Sequence, residues 1–137
     1  MPMFSVMPRI FVCDDAPDYR RLLREVFADE GDLEVVGEAC DGRQCVAALV
    51  EADADVVLLD LNMPVLSGQQ ILPRLRRLAP KTQVVVLSSA EPQDAEDEVL
   101  ELGATAFIQK PMNVFDLAGI MREKVPALDR RRTPRAA

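Results

Sequence analysis

Several apolar segments of this chain end in polar residues whose chemical types suit the handling of a phosphoryl group. These residues are Asp14, Asp15, Asp60, Ser88 and Lys110. Crowded carboxylates repel one another and raise one another's pKa, and a hard divalent cation with oxygen ligands offsets that repulsion. An aspartate can also act as a nucleophile toward phosphorus, which gives an acyl phosphate. The set therefore indicates phosphoryl transfer to a carboxylate, in which positioning and charge neutralisation provide the catalysis.

These residues meet only if the apolar segments are neighbouring strands. Five segments are rich in Val, Ile and Leu and mostly do not alternate with polar residues, namely 9–13, 33–37, 55–60, 82–89 and 105–110. Continuous apolar runs are typical of parallel strands that are covered on both faces. In an open parallel sheet, ligands bind outside the carboxyl ends of the strands, which is where the acids, the hydroxyl and the ammonium group stand.

Amphipathic helical segments lie between the predicted strands. In the first, Tyr19, Leu22, Leu23, Val26 and Phe27 repeat at helical spacing, and each of four later segments carries a similar apolar stripe. The order is therefore (βα) repeated five times, which predicts an α/β fold with a doubly wound five-stranded parallel sheet.

Local signals mark several helix ends. Pro17 suits a first helical turn, and Asp41, Ser67 and Asn113 can each cap the helix that follows. Pro73 falls about two turns into the third predicted helix, where it could kink the helix or mark a later start.

Composition limits the classes of partner. The chain has 137 residues, a net charge of −7 and 49% hydrophobic residues, which favours one domain. Residues 1–127 carry 12 basic and 22 acidic side chains, and so acidic a body argues against direct binding to nucleic acid. No apolar run approaches the roughly 20 residues of a membrane span, and the N-terminus lacks the pattern of a secretion signal.

Three cysteines and the absence of histidine narrow the chemistry further. Cys13, Cys40 and Cys45 show no metal-ligand spacing, and the chain contains no histidine. This excludes histidine-based acid–base catalysis and Cys/His zinc sites. We expect reduced thiols in a cytoplasmic protein.

Four motifs in this order, VCDDAP, LLDLNMPVLSG, VVLSS and FIQKP, resemble those of a response-regulator receiver domain of two-component signalling. The resemblance covers residues 8–125 and implies a flavodoxin-like strand order 2-1-3-4-5. It also implies a bacterial, cytoplasmic signalling phosphoacceptor rather than an enzyme, similar to the single-domain chemotaxis regulators. The receiver would span residues 8–126, followed by a basic, disordered tail over residues 127–137.

The stretch LEVVGEACDG is also similar to that of receivers fused to helix-turn-helix DNA-binding domains. The chain is therefore a stand-alone receiver or a part of a longer regulator.

Carried over by position, the resemblance assigns the acids to two tasks. Asp60 would be the phosphoacceptor. Asp14 and Asp15 would organise Mg²⁺, with Asp15 and Asp60 as direct ligands and the backbone carbonyl of Asn62 as another.

The resemblance also implies a switch. Ser88 would bond a phosphoryl oxygen, and Lys110 would pair with the group. Phe107 would be the switch aromatic, turning inward when Ser88 moves, although many family members carry Tyr or His at this position. The Lys110–Pro111 peptide bond would be cis. The output surface would be the face formed by the fourth helix, the fifth strand and the fifth helix.

The partners implied are a histidine kinase or phosphotransfer protein and a downstream protein target, with a phosphorylation-dependent homodimer as a further option. Arg20, Arg21 and Arg24 would lie near the site where the phosphodonor docks. We expect no direct nucleic-acid partner and no membrane association.

Two other functional classes remain open. A Mg²⁺-dependent phosphohydrolase that forms an aspartyl phosphate would need a second acid two residues after the nucleophile, where this chain has Asn62. A docking module that acts without phosphorylation would not need the complete set of acids. A flavin-binding protein is disfavoured because no phosphate-cradling loop precedes the first helix.

Overall fold

The computed structural model describes residues 7–128, which alternate strands and helices along the chain. The strands are β1 (Arg9–Cys13), β2 (Glu34–Ala39), β3 (Val56–Leu59), β4 (Gln83–Ser88) and β5 (Ala106–Gln109). The helices are α1 (Pro17–Glu30), α2 (Gly42–Ala52), α3 (Gly68–Leu78), α4 (Pro92–Glu101) and α5 (Leu117–Lys124). Two short 3₁₀ turns, Val114–Asp116 and Pro126–Leu128, flank α5.

All strand pairs are parallel, and the order across the sheet is β2-β1-β3-β4-β5. The predicted fold class and strand order are therefore confirmed. The register aligns the carboxyl ends of the strands, because Cys13 pairs with Leu59 and Ser88 pairs with Gln109. The residues that directly follow β1, β3 and β5 thus emerge at one edge of the sheet.

The sheet is buried on both faces. Val57 on β3 packs into a core with α2, α3 and α4, whereas its neighbour Leu58 packs into a second core with α1 and α5. Both side chains are at most 1% exposed. Since successive side chains of a strand point to opposite faces, two helical layers explain why the strands read as continuous apolar runs.

The predicted caps are present at two helices. The side chain of Asp41 accepts a hydrogen bond from the backbone N–H of Gln44 at 2.8 Å, and Ser67 forms a reciprocal capping box with Gln70. α3 therefore begins at Gly68 and continues through Pro73, so the later start that the proline suggested is wrong.

The N-terminal end of α5 differs slightly from the prediction. The side chain of Asn113 caps a 3₁₀ turn, accepting from the backbone N–H of Phe115 at 3.0 Å, and α5 itself starts at Leu117.

The packed structure extends two residues beyond the predicted domain end at 126. Leu128 is 2% exposed and belongs to the core on the α1 and α5 side, because an apolar side chain at this point reaches the neighbouring helix layer. The remaining predicted tail, residues 129–137, lies outside the described residues.

The expectation of reduced thiols is wrong for two of the three cysteines. Cys13 and Cys45 form a disulfide, with Cα atoms 6.1 Å apart, and Cys40 is free. The pair joins the end of β1 to α2 across 32 positions of sequence. Spacing along the chain does not reveal such a pair, because only the packing of α2 on the sheet brings the two sulfurs together.

The predicted cis bond before Pro111 is also not found. Residues 7–128 contain no cis peptide bond. A proline narrows the preference for trans to about 0.5–1 kcal/mol without reversing it, so the sequence alone could not fix the isomer.

Among residues 7–128, none of the helices combines the length and the hydrophobicity that a membrane span requires.

Candidate functional site

Three carboxylates meet at the carboxyl edge of the sheet. Asp14 and Asp15 follow β1, Asp60 follows β3, and one oxygen from each lies within 4.8 Å of the others. The backbone N–H of Asp60 donates to the carbonyl of Cys13 at 2.9 Å, which fixes the two strand ends side by side. Asp14 and Asp60 are buried, whereas Asp15 is exposed. The geometry allows the three acids to share one cation.

Lys110, the residue that follows β5, reaches the acids. Its Nζ lies 2.9 Å from Oδ2 of Asp14 and 3.6 Å from Oδ2 of Asp60. Its backbone N–H donates to the carbonyl of Ser88 at 2.8 Å, so the main chain after β5 is held against the end of β4. One ammonium group therefore offsets part of the negative charge of the three acids.

Burial is the largest influence on the pKa of the Asp60 carboxyl, ahead of the charges around it. Burial raises the pKa of the Asp60 carboxyl, Lys110 lowers it, Asp14 raises it, and the net pKa is above its usual value. The backbone N–H of Asn62 donates to Oδ1 at 3.3 Å and lowers the pKa, whereas Asp15 raises it. A crowded set of carboxylate oxygens with excess negative charge fits a hard divalent cation such as Mg²⁺.

Ser88 ends β4 at the same edge. It is 0% exposed, and its hydroxyl oxygen accepts a hydrogen bond from the backbone N–H of Ala90 at 3.2 Å. This bond holds the hydroxyl close to the loop that leads into α4. The backbone N–H of Asn62 donates to Asp60, and this bond does not involve the carbonyl of Asn62. That carbonyl stays a predicted metal ligand.

Phe107 lies on β5 and is 2% exposed. It packs in the core that contains Ala95 and Val99 of α4. The predicted switch aromatic is therefore buried in the core that includes residues of α4. Its role as a switch stays a prediction.

Arg20 supports the site from α1. Its guanidinium donates to the backbone carbonyl of Asp14 at 2.7 Å and to Glu38 at 3.1 Å. Arg24 also pairs with Glu38. Sequence reasoning placed these arginines at a docking surface and did not foresee that two of them are held by one glutamate and that one fixes the backbone of a site acid.

Tyr19 was also missed as a site residue. The sequence identified it only as part of the apolar stripe of α1. Its ring centroid lies 4.3 Å from Nζ of Lys110, and burial, with Asp14 and Asp60 nearby, raises the pKa of its hydroxyl to about 12. The available signal was an aromatic residue in the first turn after an acid pair, in a chain with only one tyrosine.

The family model of the response regulator receiver domain matches residues 10–122. The chain belongs to this family. Membership of this family agrees with the receiver fold, the strand order and the phosphoacceptor class that the four motifs implied. It does not favour the phosphohydrolase alternative.

Curated relatives of this receiver are longer proteins. It is 42% identical over 111 residues to a protein-glutamate methylesterase/protein-glutamine glutaminase of Caldanaerobacter subterraneus, covering 80% of this chain and 30% of the relative. It is 36% identical over 99 residues to the uncharacterized transcriptional regulatory protein YhcZ of Bacillus subtilis, covering 72% of this chain and 46% of the relative. The match thus spans less than half of either relative.

Solved receiver domains match nearly the whole chain. The response regulator domain of Thermotoga maritima CheB has a TM-score of 0.73 at 30% identity, covering 93% of this chain and 96% of that one. The chemotaxis protein CheY4 of Vibrio cholerae has a TM-score of 0.75 at 28% identity, covering 87% and 99%. This chain therefore shares the fold of these receiver domains.

Proposed function

We propose that this receiver accepts a phosphoryl group on Asp60 from a histidine kinase, a phosphotransfer protein or a small acyl phosphate, and then changes its binding to a protein partner. The observation that carries the proposal is the position of Asp60. An oxygen of its buried carboxylate lies within 4.8 Å of an oxygen from each of two other acids, and its Oδ2 lies 3.6 Å from an ammonium group.

The engagement of the three acids favours Asp60 as the nucleophile. Asp14 is held by Lys110 at 2.9 Å and by the backbone N–H of Ala16 at 2.9 Å, and Asp15 is exposed. Asp60 accepts only a longer 3.3 Å bond on Oδ1 and lies farther from Lys110. A carboxylate that is buried but weakly hydrogen-bonded keeps an oxygen free to attack phosphorus.

The transfer is a simple substitution at phosphorus. An oxygen of Asp60 forms a bond to phosphorus while the bond from phosphorus to the donor breaks. The electron pair stays on the donor atom, which is a nitrogen of a phosphohistidine or an oxygen of an acyl phosphate. Lys110 and Ser88 would bind the phosphoryl oxygens.

Mg²⁺ fits beside this group. Asp14, Asp15, Asp60 and the carbonyl of Asn62 would hold it, and when bound it neutralises charge on the phosphoryl oxygens. The positive charge of the ion would then offset the repulsion among the three acids.

Output would pass through Ser88 and Phe107. Phosphorylation would make the Asp60 side chain more negative, with a charge of about −2. The new phosphoryl oxygens would then draw the Ser88 hydroxyl toward them. Since Phe107 packs in the same core as Ala95 and Val99 of α4, a shift of Ser88 would change how α4 sits on β5. The surface that responds is the face of α4, β5 and α5.

We infer that the partners are proteins in the cytoplasm, including a downstream target or a second phosphorylated copy. The acidic body of the chain disfavours nucleic acid. We also infer that the receiver itself acts as a signalling phosphoacceptor, and that the methylesterase activity named for some relatives belongs to their additional sequence.

The test is labelling by a small acyl-phosphate donor, read by intact mass and by sensitivity of the product to hydroxylamine. We expect one phosphoryl group per chain in the presence of Mg²⁺, no labelling of Asp60→Asn, and normal labelling of Asp97→Asn, a charge-matched change on the exposed face of α4. Unchanged labelling of Asp60→Asn would refute the assignment.

A further inference from the structure

Lys110 is held by more than the two acids. Its ammonium group lies 2.9 Å from Asp14 and 3.6 Å from Asp60, and the ring centroid of Tyr19 lies 4.3 Å from the same nitrogen. The face of an aromatic ring attracts a cation at this distance. The ammonium group therefore contacts anionic oxygens and an aromatic ring at once.

The side chain of Tyr19 is partly buried. Tyr19 belongs to the first turn of α1 and packs against the core that contains Leu23 and Phe27. Its hydroxyl is buried without a hydrogen-bond partner among the described residues. Since the polar group of this residue is not used in a hydrogen bond, its contact with Lys110 is made by the ring.

An aromatic ring is suited to this place for an electrostatic reason. Lysine carries a compact charge on a flexible four-carbon chain, so Lys110 needs a restraint to stay over the site. A fourth carboxylate would restrain it but would add to the repulsion among three acids whose oxygens already lie within 4.8 Å of one another. A ring attracts the ammonium group without adding a net charge, and so leaves its full charge available to an incoming phosphoryl group.

We infer that Tyr19 is a positioning residue for phosphoryl transfer, whose ring holds the ammonium group of Lys110 toward Asp60. This inference rests on the proposed function. The hydroxyl of Tyr19 is not required, so phenylalanine can replace tyrosine at this position, whereas an aliphatic side chain such as leucine cannot.

The test compares Tyr19→Phe with Tyr19→Leu by the initial rate of labelling with a small acyl-phosphate donor and Mg²⁺. We expect Tyr19→Leu to slow labelling by about threefold to about thirtyfold, which corresponds to the usual strength of a cation–π contact, and Tyr19→Phe to keep most of the rate. Equal slowing in both variants would assign the effect to the hydroxyl and overturn the inference, as would an unchanged rate in Tyr19→Leu.

Two further readouts separate positioning of Lys110 from a loss of packing. In the background of Lys110→Ala, Tyr19→Leu should have no further effect on the rate, because its target is gone; an equal slowing there would mean that the ring supports the fold only. By NMR, ring currents should shift the ε-methylene protons of Lys110 in the unphosphorylated wild type and in Tyr19→Phe but not in Tyr19→Leu. Absence of that shift in the wild type would overturn the inference even if Lys110→Ala shows no measurable labelling.

Unfolding temperatures are measured for all variants, and Tyr19→Met replaces Tyr19→Leu if the latter does not fold. Failure of the wild type to label would refute the proposed function. Normal labelling of the wild type with no difference between the Tyr19 variants would refute the inference alone.

Discussion

The Nζ of Lys110 lies 2.9 Å from Oδ2 of Asp14, although 96 positions separate the two residues in sequence. β5 and β1 are not neighbours in the sheet, because β3 and β4 lie between them. The lysine side chain crosses the carboxyl ends of these strands to reach the acid. The contact makes the site one electrostatic unit, so that a change at Lys110 is felt by the acids at the ends of β1 and β3.

Replacing Lys110 with methionine should destabilise the unphosphorylated protein and make its stability more dependent on Mg²⁺. Methionine keeps an unbranched apolar stem but removes the charge that offsets Asp14 and Asp60. We expect the free energy of unfolding to fall by about 1–2 kcal/mol at neutral pH, and Mg²⁺ to restore more stability than it adds to the wild type. Thermal unfolding with and without Mg²⁺ measures both effects. Lys124→Met, an exposed change on α5, should alter neither.

Asp60→Asn should stabilise the protein at neutral pH in the absence of Mg²⁺. Burial, as the largest cause, raises the pKa of Asp60 above its unfolded value, so folding favours the protonated carboxyl. The stabilising effect of that proton is fully present below the unfolded pKa and is lost as the pH rises through the folded pKa.

The gain from asparagine should therefore be large at neutral pH and disappear toward the unfolded pKa, which is about 3.9. Unfolding curves across this pH range measure it, with Asp97→Asn on the exposed face of α4 as the control for net charge. A gain in stability that is the same at every pH would contradict the assignment of the effect to Asp60.

Two glycine substitutions should have opposite effects. A Cβ at Gly68 would lie 2.8 Å from the carbonyl oxygen of Asp60 and 2.9 Å from Cα of Leu61, so Gly68→Ala must displace the backbone at these two residues. We expect a loss of about 1–3 kcal/mol and slower labelling.

A Cβ at Gly119 in α5 would meet nothing within 4 Å. Gly119→Ala should therefore stabilise by up to about 1 kcal/mol through helix propensity, with unchanged labelling. Denaturant unfolding and the labelling assay measure the pair. If Gly68→Ala is as well tolerated as Gly119→Ala, the close contact with Asp60 is not a constraint.

The Cys13–Cys45 bond should appear in a thiol count. Protein unfolded without reductant should expose one reactive thiol, from Cys40, and three after reduction. Because the bond closes a long loop, its reduction should lower the free energy of unfolding by about 3 kcal/mol. Cys40→Ser should lower the unreduced count to zero and leave the stability unchanged, whereas three reactive thiols in the wild type before reduction would contradict the bond.

The sequence by itself determined the elements and the edge at which the chemistry lies. Apolar runs such as Val56–Leu59 and caps such as Asp41 and Ser67 act through neighbours along the chain, so local patterns were enough to predict five strands and five helices. The three acids lie close together because Asp14 and Asp15 follow β1, Asp60 follows β3, and parallel strands end at one edge.

Only the tertiary structure decided which side chains contact groups outside their own helix or strand. The contact of Tyr19 with Lys110, the bond of Arg20 to the carbonyl of Asp14 and the pairing of Cys13 with Cys45 each depend on how a helix packs against the sheet. The peptide isomer before Pro111 likewise depends on surroundings, because the intrinsic preference is small. Local patterns determine which segments form strands and which form helices. Contacts between these elements depend on packing that no single segment encodes.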